Sequence, residues 1–267
     1  MAVTEFQRSV CRLIAGERIR SGVSYVAGGV ALNTLTNSPR VSRDIDIFHD
    51  VRESVETSWA ADRSVLEKSG YIVDTLRGRE GFIEASVVRG GESVVLQWAL
   101  ESAFRFFPLI EHEDFGLALH PFDLATNKVL ALVGRLEVRD WIDTIQCHEN
   151  VQRLGYLAWA ACGKDPGFSP AAILEEAGRS SRYSALEIEA LSFAGATPDA
   201  AALSLKWHGM LEEGRGIVSA LPPSEAGKCV LNVKGDLFDG GLLELALKSG
   251  SLRFHAGSLH GAWPQIR

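Results

Sequence analysis

The chain has 267 residues, 46% of them hydrophobic and 23% charged, with 27 basic against 34 acidic side chains for a formal net charge of −7. That length suits one large or two modest domains, and that composition is ordinary globular usage, which excludes disordered and fibrous chains. The negative balance excludes nucleic-acid binding by bulk charge and leaves only a local basic patch for such a contact.

Residues 3–20 set Val3, Phe6, Val10, Leu13 and Ile14 at helical spacing, which predicts an amphipathic opening helix stopped at Gly22. SYVAGG, residues 24–29, reads as a short strand entering a glycine turn, followed by a helix over VALNTL and a turn at Asn37–Ser38–Pro39. DIDIF reads as a second strand, and residues 51–69 as a helix carrying Val55, Trp59, Val65 and Leu66. YIVDTLR, FIEASVVR and SVVLQWALE follow as strands, the last two joined by Gly90–Gly91, a hairpin signal because both turn positions require positive φ.

From Pro121 the pattern turns helical through about residue 163, and residues 170–213 add further helices. The tail from about 216 holds a CVLNV strand, a GLLELAL helix and a SLRFH strand, which either complete the sheet or pack apart from it. The expected fold is α+β: a mixed sheet with flanking helices over 1–120, a helical domain over 121–215, and an α/β tail over 216–267.

No apolar run approaches the roughly 18 residues of a membrane span, and charges break the N-terminal stretch where a signal peptide needs an apolar block, so a cytoplasmic protein is expected. Cys11, Cys147, Cys162 and Cys229 form no ligand or disulfide spacing and read as buried thiols. Trp141, Trp159, Trp207 and the WALESAFRFFPL stretch read as core aromatics.

RVSRDIDIFHD, residues 40–50, is the stretch that carries chemistry. A strand's two-residue period sends Ser42, Asp44 and Asp46 to one face and Ile45 and Ile47 to the other. Two carboxylates ~6–7 Å apart along a strand repel each other unless a cation holds both. Oxygen-only ligands of this kind suit Mg²⁺, which takes one or two carboxylates together with waters and phosphates.

On its own a DxD is more often a solvated strand end. Gly28 and Gly29, where a strand enters a helix, shift the reading, because glycines let backbone N–H groups approach a phosphate at a helix N-terminus. His49, three residues past Asp46, reads as a solvated loop histidine or as an edge of this site.

A strand ending in GG, followed about a dozen residues later by DxD, resembles the polymerase-β-type nucleotidyltransferases, and GGVAL with RVSRDIDIF resembles the AbiEii/AbiGii toxin family among them. NKVLALVGRLEVRDWIDTI, residues 127–145, is similar to that family's K…AL…R…RD…D helix signature. Without the resemblance, Lys128, Arg135 and Arg139 read more readily as ordinary surface charges, and Asp140 and Asp143 as acids favouring the dipole near a helix N-terminus.

The resemblance implies cation binding by Asp44 and Asp46, with Mg²⁺ or Mn²⁺ as the metal. It implies nucleotide binding by Gly28, Gly29, Arg40, Ser42 and Lys128, and catalysis by Asp44, Asp46, Lys128, Asp140 and Glu101. The fold usually takes a third carboxylate from a later strand. SVVLQWALE offers Gln97 and Trp98 there, so Glu101 at the strand's end is the candidate and Glu84 its rival.

The activity implied is transfer of a nucleoside monophosphate from an NTP to an acceptor hydroxyl on RNA, tRNA or protein, by the toxin half of a toxin–antitoxin or phage-defence system. Its partners are then the NTP, that RNA and a cognate antitoxin protein, with no membrane. A small-molecule nucleotidyltransferase and a nucleotide-binding module without catalysis are the alternatives, the second because of the missing acid.

Overall fold

The computed structural model describes residues 3–179, 183–239 and 241–265. Residues 180–182, inside the stretch expected to be helical, Gly240 in the tail, and both chain ends lie outside the described residues. The fold is α+β, a mixed seven-stranded sheet with flanking helices followed by a largely helical region. The chain divides into two compact units, residues 1–103 with 109–120, and residues 104–108 with 121–267.

In the first unit α1 (Glu5–Ser21) opens on a capping box, in which Thr4 and Gln7 satisfy each other's backbone N–H groups. It ends where Gly22 turns left-handed, as the sequence predicts. Then come β1 (Ser24–Ala27), α2 (Gly28–Leu35), the short β2 (Arg40–Val41), β3 (Asp44–His49) and α3 (Arg52–Lys68). β4 (Ile72–Arg79), β5 (Phe82–Arg89) and β6 (Glu92–Leu100) form two consecutive hairpins, and β8 (Ile110–His112) and β9 (Gly116–Ala118) a third.

The strand order is β4-β5-β6-β3-β1-β9-β8. β3 sits at the centre, parallel to β6 on one side and antiparallel to β1 on the other. β1 in turn runs parallel to β9.

Along β3 burial alternates: Ile45, Ile47 and His49 are fully buried and Asp44, Asp46 and Phe48 partly so. The buried face lies under α1 and α3. There Asp62 of α3 accepts hydrogen bonds from both terminal nitrogens of Arg18 and, at 2.8 Å, from Trp98 Nε1. All three side chains are sealed from solvent.

His49 is thereby placed. It is neither a loop residue nor an edge of the aspartate site, because β3 runs one residue past DIDIF and the two-residue period carries His49 to the core face. Burial lowers the pKa of its ring to about 4.

The second unit begins with β7 (Phe104–Arg105), whose chain neighbours Phe106 and Phe107 donate their backbone N–H groups to the buried carboxylate of Asp123. Its helices are α4 (Pro121–Arg135), α5 (Val138–Asn150), α6 (Leu154–Ala161), α7 (Pro170–Gly178), α8 (Ala185–Glu189) and α9 (Ala200–Ala220), with a two-residue strand β10 (Ser192–Phe193) before α9. Trp141, Trp159 and Trp207 are buried, as the sequence predicts.

Among the described residues the tail contributes no strand to the seven-stranded sheet. β11 (Lys228–Leu231) pairs with β12 (Arg253–Ala256), and α10 (Leu243–Lys248) lies between them in the chain. β13 (Ser258–Leu259) pairs with β7. Val230, Phe238, Ala246 and Leu252 of the tail share one apolar cluster with Tyr156 and Trp159 of α6 and Ile217 of α9.

Candidate active site

Asp44 and Asp46 leave β3 on the face turned away from α1 and α3. Ser42 stands just before them and donates its hydroxyl to Asp44 Oδ1 at 3.1 Å, while its carbonyl accepts from the Gln7 amide at 2.8 Å. A neutral side chain from α1 thus pins the approach to the strand.

The glycine turn lies directly over this group. β1 pairs with β3 so that Ala27 faces Asp46, and the chain turns into α2 at Gly28 with φ +62°. A methyl group on Gly28 would lie 1.7 Å from Asp46 Oδ2. One on Gly29 would lie 2.6 Å from Ser42 Oγ and 2.8 Å from Arg40 Nη2. Only hydrogens at both positions let the turn, the carboxylate and the buried guanidinium pack this closely.

The N-terminus of α2 has Ala27 as its cap, which supplies no side-chain acceptor to the first-turn N–H groups. Gly28, Gly29, Arg40, Ser42, Asp44 and Asp46 therefore form one cluster of oxygen ligands beside a donor-rich helix end and a cation. The set fits a hard divalent ion: two carboxylates on one face, all donors oxygen, and a turn too tight for any Cβ. No group of three or more His, Cys, Asp or Glu side chains among the described residues could hold a metal, so an ion on this pair would complete its shell with water and phosphate oxygens.

Across the sheet from Asp46 runs a row that sequence reasoning did not assemble. Asp46 faces Gln97 of β6, Gln97 faces Glu84 of β5, and Glu84 faces Arg77 of β4. Gln97 Nε2 donates to Glu84 Oε1 at 3.1 Å, and Arg77 Nη2 to the same oxygen at 3.0 Å. The Arg77 guanidinium holds the Glu84 carboxyl below its ordinary range.

Glu101 is not brought to this row. It follows β6, its N–H donates to the carbonyl of His49, and it lies four residues beyond Gln97, about 13 Å along the strand.

Lys128 and Asp140 meet each other in the second unit. Lys128 Nζ lies 2.9 Å from Asp140 Oδ1 and 3.1 Å from Asp143 Oδ2, and Arg135 reaches both oxygens of Asp140, Nη2 at 2.9 Å. The two carboxylates are fully buried and Lys128 nearly so. Burial alone would raise the pKa of Asp140, but the Arg135 hydrogen bonds and the Lys128 charge outweigh it and hold the carboxyl low. The K…R…RD…D spacing is thus a buried ion cluster clamping α4 to α5, with Arg139 turned instead to Glu137.

Among solved structures, the chain is similar to JHP933 from Helicobacter pylori, with a TM-score of 0.55 at 13% identity over 81% of this chain and 95% of that one. It is also similar to a candidate nucleotidyltransferase from H. pylori (TM-score 0.50, 15% identity, 80% and 95% covered). A third likeness is to the nucleotidyltransferase toxin MenT4 from Mycobacterium tuberculosis (TM-score 0.50, 16% identity, 81% and 84% covered). The fold resembles that of nucleotidyltransferases.

No family model and no curated protein matches the sequence. At these identities the likeness is one of fold. No helix among the described residues is long and apolar enough to cross a membrane.

Proposed function

We propose that the protein is a divalent-cation-dependent nucleotidyltransferase of the AbiEii/AbiGii type, moving a nucleoside monophosphate from an NTP to an acceptor hydroxyl. The observation that carries this reading is the cluster at the α2 turn: Asp44 and Asp46 on one strand face, packed beneath Gly28 and Gly29 with Ser42 and Arg40. The fold likeness supports it.

In this reading the α2 N-terminus and the Gly28–Gly29 backbone receive the phosphates, with Arg40 adding positive charge beside Gly29. Asp44 and Asp46 hold Mg²⁺ or Mn²⁺, which when bound neutralises charge building on the phosphate oxygens. Ser42 donates to Asp44 and so orients that carboxylate ahead of the acceptor hydroxyl and the α-phosphorus. Lys128 and Asp140 enter the proposal through the family signature alone, their side chains being engaged with each other and with Asp143.

MenT4 is a nucleotidyltransferase toxin, and we extend that role here: the chain is the toxic component of a two-gene system, acting on RNA or tRNA and restrained by an antitoxin protein. Incubation of the purified protein with each α-labelled NTP, Mg²⁺, and total RNA, total protein or small hydroxyl compounds tests the chemistry. Label on RNA is expected, and tight NTP binding with no labelled product points instead to a binding module. Induction in cells without the neighbouring gene is expected to arrest growth, and unaffected growth contradicts the toxin role.

A further inference from the structure

The capping box of α1 is closed by a glutamine where a glutamate closes such a box equally well. Only Oε1 of Gln7 takes part in the box, accepting from the Thr4 N–H at 2.9 Å, while Thr4 Oγ1 accepts from the Gln7 N–H at 3.1 Å. A carboxylate at this position would accept the same bond and add its charge to the positive end of the helix. The box therefore gives no reason for the amide.

The reason lies at the other end of the group. Gln7 Nε2 donates to the carbonyl of Ser42, 35 residues on, at 2.8 Å, and both residues are buried. A carboxylate has no hydrogen to give there. The amide's orientation is fixed by its partners, since a backbone N–H can only donate and a carbonyl can only accept.

Ser42 needs such a hold. The pairings of β3 begin at Asp44 with β6 and at Asp46 with β1, so neither ladder reaches Ser42. Its hydroxyl donates to Asp44 Oδ1 at 3.1 Å, and a methyl on Gly29 would meet the same hydroxyl oxygen at 2.6 Å. One buried amide thus ties the first turn of α1 to the residue that orients an aspartate of the cluster.

We propose that Gln7 is a positioning residue of the Asp44–Asp46 cation site, acting through Ser42: its Nε2 holds the Ser42 backbone where the hydroxyl meets Asp44. The inference rests on the cation-site reading above and deepens it. Without the donor, the buried Ser42 carbonyl loses its partner and the segment shifts to recover one.

The test is Mn²⁺ binding to the full chain without nucleotide, followed by the electron-spin-resonance signal of free Mn²⁺, with urea titration as the stability control. Gln7→Glu keeps the box and removes the donor, and is expected to weaken Mn²⁺ binding about tenfold. Its added negative charge would by itself tighten binding, so the loss cannot come from charge. Gln7→Met, neutral and without a donor, is expected to lose as much. Thr4→Ala breaks the box and spares the Ser42 bond; it is expected to lower the urea midpoint and leave Mn²⁺ affinity unchanged. In a Ser42→Ala background, where the route is already cut, Gln7→Glu is expected to cost nothing further.

Three results overturn this inference: Mn²⁺ affinity unchanged or tighter in Gln7→Glu or Gln7→Met, an equal loss in Thr4→Ala, or an undiminished loss from Gln7→Glu in the Ser42→Ala background. If Asp44→Asn loses binding in the same assay, the aspartate site stands without it. Wild-type protein that binds no Mn²⁺, or Asp44→Asn and Asp46→Asn variants that bind it fully, overturns both.

Discussion

Gly28 and Gly90 share a backbone conformation, φ +62° in each, but not a neighbourhood. An added methyl at Gly90, in the β5–β6 hairpin, meets nothing within 4 Å, whereas at Gly28 it lands 1.7 Å from Asp46 Oδ2. Both glycines belong to the first unit, so both substitutions are read in the same unfolding transition. Gly90→Ala is expected to cost only the left-handed backbone term, about 1–2 kcal/mol. Gly28→Ala carries that term plus the displacement of Asp46, about 1–3 kcal/mol more by the usual cost of overpacking. Urea titration at unchanged slope measures the difference directly. Gly28→Ala should also lose Mn²⁺ and NTP binding, and Gly90→Ala should keep both. Equal stability losses, or intact binding in Gly28→Ala, would refute the claim that the turn is moulded around Asp46.

Three further outcomes follow from the buried charges. Asp62→Ala strands Arg18 in the core and is expected to destabilise the first unit by about 3–5 kcal/mol in denaturant titrations. Lys128→Met leaves Asp143 without its ammonium partner and is expected to cost the second unit a similar ~3–5 kcal/mol. Lys128→Arg keeps the charge, so transfer that stays lost in a stable Lys128→Arg protein marks the lysine as a substrate contact, and restored transfer marks it as structural.

The third outcome concerns pH, through His49 and His148, whose rings burial holds neutral down to about 4. The unfolded rings take up protons below about 6.5, so stability is full above that pH and falls between 6.5 and 4, by on the order of 3 kcal/mol per ring. Thermal melts across that window check this, and His49→Phe should flatten the decline of the first unit.

Local signals carried the strands and turns. The period of DIDIF, the paired glycines at 90–91 and the stop at Gly22 each act over a few residues, and each appears in the structure where the chemistry puts it. The Gly28–Gly29 turn and the aspartates were legible as types, and their packing against each other needed the β1–β3 pairing.

Half of the Gln97 row was also within reach. Two-residue turns fix hairpin register, so Arg89 facing Glu92 dictates Glu84 facing Gln97. The other half was not, because the parallel pairing of β3 with β6 joins segments about fifty residues apart, and no local pattern records which strands become neighbours.

The same limit hid the Arg18–Asp62–Trp98 network, whose members come from three separate elements. His49 was misplaced by one residue of strand length, since ending the strand at Phe48 removes the alternation that sends the ring inward.

The most direct test of the central claim is pyrophosphate release from the four NTPs with Mg²⁺ and total RNA, comparing wild type with Asp44→Asn and Asp46→Asn. The account predicts release by the wild-type protein matched by label on the acceptor, and loss of both in either variant, with folding intact by circular dichroism. Release and labelling undiminished in both variants would contradict it.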